Sequence, residues 1–179
     1  MDELALVRAS QRGDKAAFGS LIDRHYKSIY RLAYQYTGSH QDADDLCQET
    51  FLRAFDSIRK VRDAKRFRGW IFMIASNLLR KRIKDLRRVA RTLDEAAREL
   101  FEHDDVEPIE TLLAKEKAVI IHKQLQKMPE DMRLVTILIL MEGLAQKDVA
   151  AVLNCSEASV SRRLDVARKW LRARLQKFI

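Results

Sequence analysis

Ala145-Gln-Lys-Asp-Val-Ala-Ala-Val-Leu153, then Asn154-Cys-Ser156, then Glu157-Ala-Ser-Val-Ser-Arg-Arg-Leu-Asp-Val-Ala-Arg-Lys-Trp-Leu-Arg-Ala-Arg-Leu175 is the stretch that decides the architecture. It predicts a short helix, a tight turn and a long basic helix. A turn this short presents the second helix as a rod that a DNA major groove can accept. Val160, Leu164, Ala167, Leu171 and Leu175 recur at three- and four-residue spacing and define a face to be buried. Ser159 and Arg162 point away from that face, flanked by Arg163, Arg168 and Arg172. Asn154 tolerates the left-handed turn conformation, and Ser156 suits the cap of the helix that follows. An amphipathic hairpin with solvated arginines carries the same pattern. This stretch therefore favours DNA binding without deciding it.

The rest of the chain narrows the choice. Its 179 residues are 47% hydrophobic, enough for one medium domain or two small ones with a real core. Only 5 glycines and 2 prolines punctuate it, and good helix formers dominate, so an all-helical fold is expected. A net charge of +8 points to a polyanionic partner, nucleic acid before membrane. Cys47 and Cys155 have no second ligand at metal spacing and are expected as free thiols of a reducing cytosol. No leader pattern and no bilayer-length apolar run is seen, so a soluble, cytoplasmic protein without membrane insertion is expected.

Charge divides the chain. Residues 59 to 91 are strongly basic, opposed by Asp63 and Asp85 alone. From Asp94 to Glu110 the sign reverses, Pro108 intervenes and the helical period fades, which predicts a linker. The expected domains are residues 1–91, an acidic linker over 92–107, and residues 108–179. The first reads as a bundle of helices over about Glu3–Gln11, Asp14–Tyr36, Ser39–Ile58 and Phe67–Arg88. Asp14 and Ser39 are expected as N-caps, Gly38 as a C-cap. In the second, helices are expected over about Pro108–Gln126 and from Pro129, as first helical residue, to Gly143, before the opening pair.

Two helix faces outside that pair carry candidate chemistry. Asp45, Gln48, Glu49 and Leu52 lie three or four apart with Asp42 a turn earlier, giving an acidic face suited to a basic partner surface or simply to solvent. On the next helix Asn77, Arg80, Lys81, Lys84 and Arg88 are expected outward, with Phe67, Trp70 and Phe72 near its start. Basic side chains beside aromatics suit single-stranded or distorted nucleic acid, although core packing is the better reading of Trp70. His25, His40, His103 and His122 are scattered, and neither a phosphate-cradling loop nor a nucleophile elbow is present, so no catalytic residue, metal or cofactor is expected.

Four segments then resemble one family. Asp42-Ala-Asp-Asp-Leu-Cys-Gln-Glu-Thr-Phe51 resembles a signature of bacterial RNA polymerase sigma factors, closest to the extracytoplasmic-function group. Trp70-Ile-Phe-Met-Ile-Ala-Ser-Asn77, Met128-Pro-Glu-Asp-Met-Arg133 and Glu142-Gly-Leu-Ala-Gln-Lys-Asp-Val-Ala150 resemble three further segments of that group, in the same order. The resemblance implies that Asp42, Asp45, Gln48, Glu49 and Leu52 contact the clamp of core RNA polymerase. It implies that Arg62, Lys65, Trp70, Asn77, Arg80, Lys81, Lys84 and Arg88 bind a melted minus-10 promoter element. Ser156, Ser159, Ser161, Arg162, Arg163 and Arg168 would bind the minus-35 duplex. It also implies an anti-sigma factor as partner and a linker that threads through the polymerase. Two departures matter. Ala158-Ser-Val-Ser-Arg-Arg163 stands where the group often has Gly-Thr-Val-Lys-Ser-Arg, which makes Arg162 an extra base-reading candidate. Leu78-Leu-Arg-Lys-Arg-Ile83 is more basic than the family pattern. A stand-alone helix-turn-helix regulator lacks a use for the Asp45 face, and a nucleic-acid enzyme lacks its metal or nucleophile cluster.

Overall fold

A computed structural model describes residues 2–92 and 112–176, with side chains over 2–85 and 118–176. The expected linker, Arg88 and His103-Asp104-Asp105 lie outside the described side chains. Among the described residues every regular element is helical. Helices α1 (Glu3–Gln11), α2 (Lys15–Thr37), α3 (His40–Ser57) and α4 (Phe67–Thr92) form the N-terminal unit. Short 3-10 turns at Ile58–Lys60 and Ala64–Arg66 connect α3 to α4. The C-terminal unit holds α5 (Leu112–Gln126), α6 (Glu130–Thr136), α7 (Gln146–Leu153) and α8 (Glu157–Leu175).

Local chemistry sets the helix limits. The Asp14 carboxylate accepts from the Ala17 N–H at 3.0 Å and starts α2, which ends where Gly38 turns left-handed at φ 81°. Ser39 Oγ accepts from the Asp42 N–H at 3.2 Å and starts α3. Pro129 is not the first helical residue as expected. Its ψ of 138° holds it outside, and its carbonyl accepts from the Met132 and Arg133 N–H groups to open α6. Nor is the following helix uniform. Beyond Thr136 it widens into a π turn over Ile137–Met141, closed by the Glu142 N–H on the Ile137 carbonyl at 3.0 Å.

The core follows the apolar stripes, with one addition. Phe18, Leu21, Ile29, Leu32 and Ala33 of α2 meet Ala43, Leu46, Cys47 and Ala54 of α3, all buried. On α4, Phe67, Ile71 and Leu78 are buried. Phe72, Ala75 and Leu79 are fully buried too, so α4 is covered on a second side. That cover is the C-terminal unit: α7 packs on α4 and α5 on α2. The buried residues of both units make one continuous core.

Candidate nucleic-acid and partner interfaces

The acidic face of α3 stands open. Asp42, Asp45 and Gln48 are exposed, and Leu52 is 67% exposed, a large apolar side chain held in water. Three of the acids are partly neutralised from within. Arg82 of α4 reaches Asp42 at 3.2 Å and Asp45 at 3.8 Å, while Glu49 pairs with Arg53 at 2.6 Å. Pairs this exposed contribute little to stability. They hold the carboxylates in place without removing them from solvent.

Beside this face lies a feature the charge pattern did not reveal. Phe18, Ile22, Tyr26, Phe51, Leu52 and Phe55 line an apolar groove of about 470 Å³ that Gln48 borders. Tyr26 and Phe55, like Leu52, are more than a third exposed. Tyr26 donates its hydroxyl to Asp44 at 2.9 Å, and the resulting attraction and burial push the phenol up to about 12. An apolar trough with carboxylates along one edge is the form that accepts an amphipathic, basic helix. The signal was present in the spacing of Phe51 and Phe55, one turn apart, with Leu52 between them.

Helix α4 divides its candidates. Trp70, Asn77, Lys81 and Lys84 recur at helical spacing, so they share the outer face. Asn77, Lys81 and Lys84 are exposed, and Trp70 is half-buried with its ring 5.7 Å from Phe67. Phe72 is core, its ring carrying the Arg68 guanidinium at 5.8 Å. Arg80 departs from its expected exposure: it is half-buried, and both terminal nitrogens sit 3.4 Å from the Leu153 carbonyl of α7. Arg62 and Lys65 are exposed on the loop before α4, where Asp63 caps the turn by accepting from the Lys65 N–H at 3.0 Å. A shallow groove beside Asn77 is walled by Arg53, Asp56, Ser57 and Ile74.

The helix-turn-helix takes the predicted form. Asn154 is left-handed at φ 50°, and Ser156 Oγ accepts from the Ser159 N–H at 3.2 Å. Val160, Leu164 and Ala167 are buried, which leaves Arg162 and Arg168 exposed on the outer face of α8. Ser159 and Ser161 are half-buried at its start. Arg163 is also half-buried and reaches Asp131 of α6 at 3.5 Å, so its charge is partly committed to the fold. The long α8 is held further along by Arg174 stacked 3.8 Å above Trp170.

Comparison with known proteins decides what this geometry serves. Residues 21–89 match the sigma-70 region 2 model and residues 118–171 the sigma-70 region 4 model. The RNA polymerase sigma-H factor of Pseudomonas aeruginosa is 32% identical over 96% of this chain and 92% of its own. The chain belongs to the extracytoplasmic-function RNA polymerase sigma factors. The Bacillus subtilis ECF factor SigW is 27% identical over 95% of both chains. Among solved structures, CnrH in complex with the cytosolic domain of CnrY is similar at a TM-score of 0.71 and 27% identity, over 98% of this chain and 97% of that one. The Bartonella quintana sigma factor RpoE, solved with the anti-sigma factor NepR, shares the fold at a TM-score of 0.76 and 21% identity, over 89% of this chain and 96% of that one. This sigma factor is a promoter-recognising subunit of RNA polymerase. Among its described residues no helix is long and apolar enough to cross a membrane.

Proposed function

We propose that this sigma factor distributes its contacts by charge. The exposed acidic face of α3, with Asp42, Asp45, Gln48, Glu49 and Leu52, docks on the polymerase clamp, and the apolar groove beside it receives the hydrophobic side of the same partner helix. The outer face of α4, with Trp70, Asn77, Lys81 and Lys84, takes the melted minus-10 strand together with Arg62 and Lys65 of the preceding loop and with Arg80 and Arg88. The start of α8 reads the minus-35 duplex through Ser156, Ser159, Ser161 and Arg162, with Arg163 and Arg168 on phosphates. The observation that carries this reading is the segregation of exposed charge: carboxylates beside a trough on α3, cations on α4 and α8.

The factor does no chemistry of its own, acts in the cytoplasm and initiates transcription in response to a signal. An anti-sigma factor holds it inactive by covering the polymerase-facing groove, an inference supported by the likeness to CnrH bound to CnrY. Residues 1–91 and 108–179 act as the two promoter-binding domains, joined by the acidic linker. A pull-down with core polymerase followed by run-off transcription tests the reading. Specific initiation only with both components is expected; tight promoter binding without polymerase overturns it.

A further inference from the structure

Helix α1 does more than close the N-terminal bundle. It packs on α2 and on both 3-10 turns between α3 and α4, and its Leu6, Val7 and Ala9 are buried. Its first turn is fastened to α2 by Glu3, 3.1 Å from His25 Nε2. Its last residue, Gln11, is half-buried and reaches the far end of the α3–α4 connection. Gln11 Nε2 donates to the Ile58 carbonyl at 3.2 Å and to the Val61 carbonyl at 2.7 Å. A side-chain amide carries two N–H donors on one nitrogen, so a single Gln serves both acceptors. The turn itself brings them together, since the Val61 N–H closes on the Ile58 carbonyl at 3.1 Å. Gln11 is held from behind as well. The Arg12 and Asp14 N–H groups return to the Ala9 carbonyl, and Gly13 turns left-handed at φ 97° between them.

The Val61 carbonyl belongs to the peptide that joins Val61 to Arg62, and that unit is planar. A hydrogen bond on its oxygen therefore fixes the direction in which the Arg62 backbone leaves. Just beyond, Asp63 caps the next turn by accepting from the Lys65 N–H at 3.0 Å. Arg62 and Lys65 themselves are exposed. We propose that Gln11 is a positioning residue for minus-10 recognition, holding the loop over 58–65 in the shape that presents Arg62 and Lys65 to the melted strand. The proposal rests on the assignment of those two residues to minus-10 DNA made above. Apolar packing docks α1 without Gln11, so its replacement leaves the bundle folded and frees the loop. A freed loop must be ordered when DNA binds and can adjust to a wrong base, so preference falls along with affinity.

The test uses the full chain with core polymerase on a promoter selected in vitro by the native factor, against the same promoter with single-base changes in its minus-10 element. Gln11→Leu removes the donors, Gln11→Glu keeps the shape with acceptors alone, and Gln11→Lys restores donors. The first two should cut the run-off preference for the selected sequence by about five- to a hundredfold, the span of one base's readout, and Gln11→Lys should regain most of it. Trypsin should cut the loop faster in the first two, while the thermal melt, polymerase association and minus-35 duplex binding hold. A native preference in both Gln11→Leu and Gln11→Glu overturns the proposal when Arg62→Ala with Lys65→Ala lowers that preference. A uniform loss on every promoter also overturns it, because Gln11 would then serve the fold alone. If the Arg62→Ala, Lys65→Ala chain keeps its preference too, the loop assignment itself fails and the proposal falls with it.

Discussion

Arg162 and Arg163 stand next to each other, yet the fold gives them different tasks. Arg163 leans back on Asp131, while Arg162 stays exposed on the outer face of α8. Replacing Arg162 with Ala should weaken binding to the cognate minus-35 duplex by about 1–3 kcal/mol if it forks onto a guanine. Competition binding against a scrambled duplex checks this, and an equal loss on both would make it a phosphate contact. The two thiols separate as sharply. Burial pushes Cys47 up to about 12, so near pH 8 it is almost wholly protonated and shielded, whereas Cys155 is half-exposed in the turn. Alkylation of the native protein at that pH should label Cys155 alone, with Cys47 reacting only in denaturant. Mass mapping of the labelled peptides reads the outcome directly.

At the level of the helix, the stripes were largely readable. Asp14, Gly38, Ser39, Asn154 and Ser156 set limits through local hydrogen bonds or a left-handed turn, chemistry written in the residue and its near neighbours. What escaped was set at long range. Phe72 and Leu79 are covered by a second unit that no local pattern announces, and Arg80 read as solvent-facing because its partner lies 73 residues away. The π turn has no local marker in Ile137-Leu-Ile-Leu-Met141, since every residue there suits an ordinary helix equally. The groove on α3 has no signature in one helix alone, because part of its apolar wall comes from Phe18, Ile22 and Tyr26 of α2. The α3 assignment predicts that Asp45→Arg with Glu49→Arg abolishes association with core polymerase while leaving the helical circular dichroism unchanged, because both carboxylates are solvent-exposed or nearly so. Leu52→Glu should weaken association through the trough alone. Retained binding in both would remove the clamp from this face.

Across the whole molecule, a column of rings ties the partner-facing groove to the junction between units. Tyr26, Tyr30 and Tyr34 stack along α2 at 6.0 and 6.4 Å, and Tyr34 continues onto His122 of α5 at 4.8 Å. Tyr30 also bonds His40 at the start of α3. The column adds aromatic contact to the hydrogen bonds that Gln126 and Arg133 make to the end of α2, so the two units are held by packing as well as by polar groups. The widened turn over Ile137–Met141 bears on the same junction, where Glu142 beyond it pairs with Arg31 of α2 at 2.5 Å. An α-helix advances by about 100° per residue, and a π turn takes up one surplus position by widening, so Glu142 closes on Ile137 where the fourth residue on would in a regular helix. Removing Leu140, an exposed residue of that turn, should convert the stretch to regular helix with Glu142 still bonded to the Ile137 carbonyl and still facing Arg31. Such a shortened chain should keep its thermal melt and its small-angle scattering profile, and a profile of two loosely tethered bodies would show that the wide turn itself sets the junction. The surplus residue is thus absorbed where it stands, and the contact beyond it keeps its place.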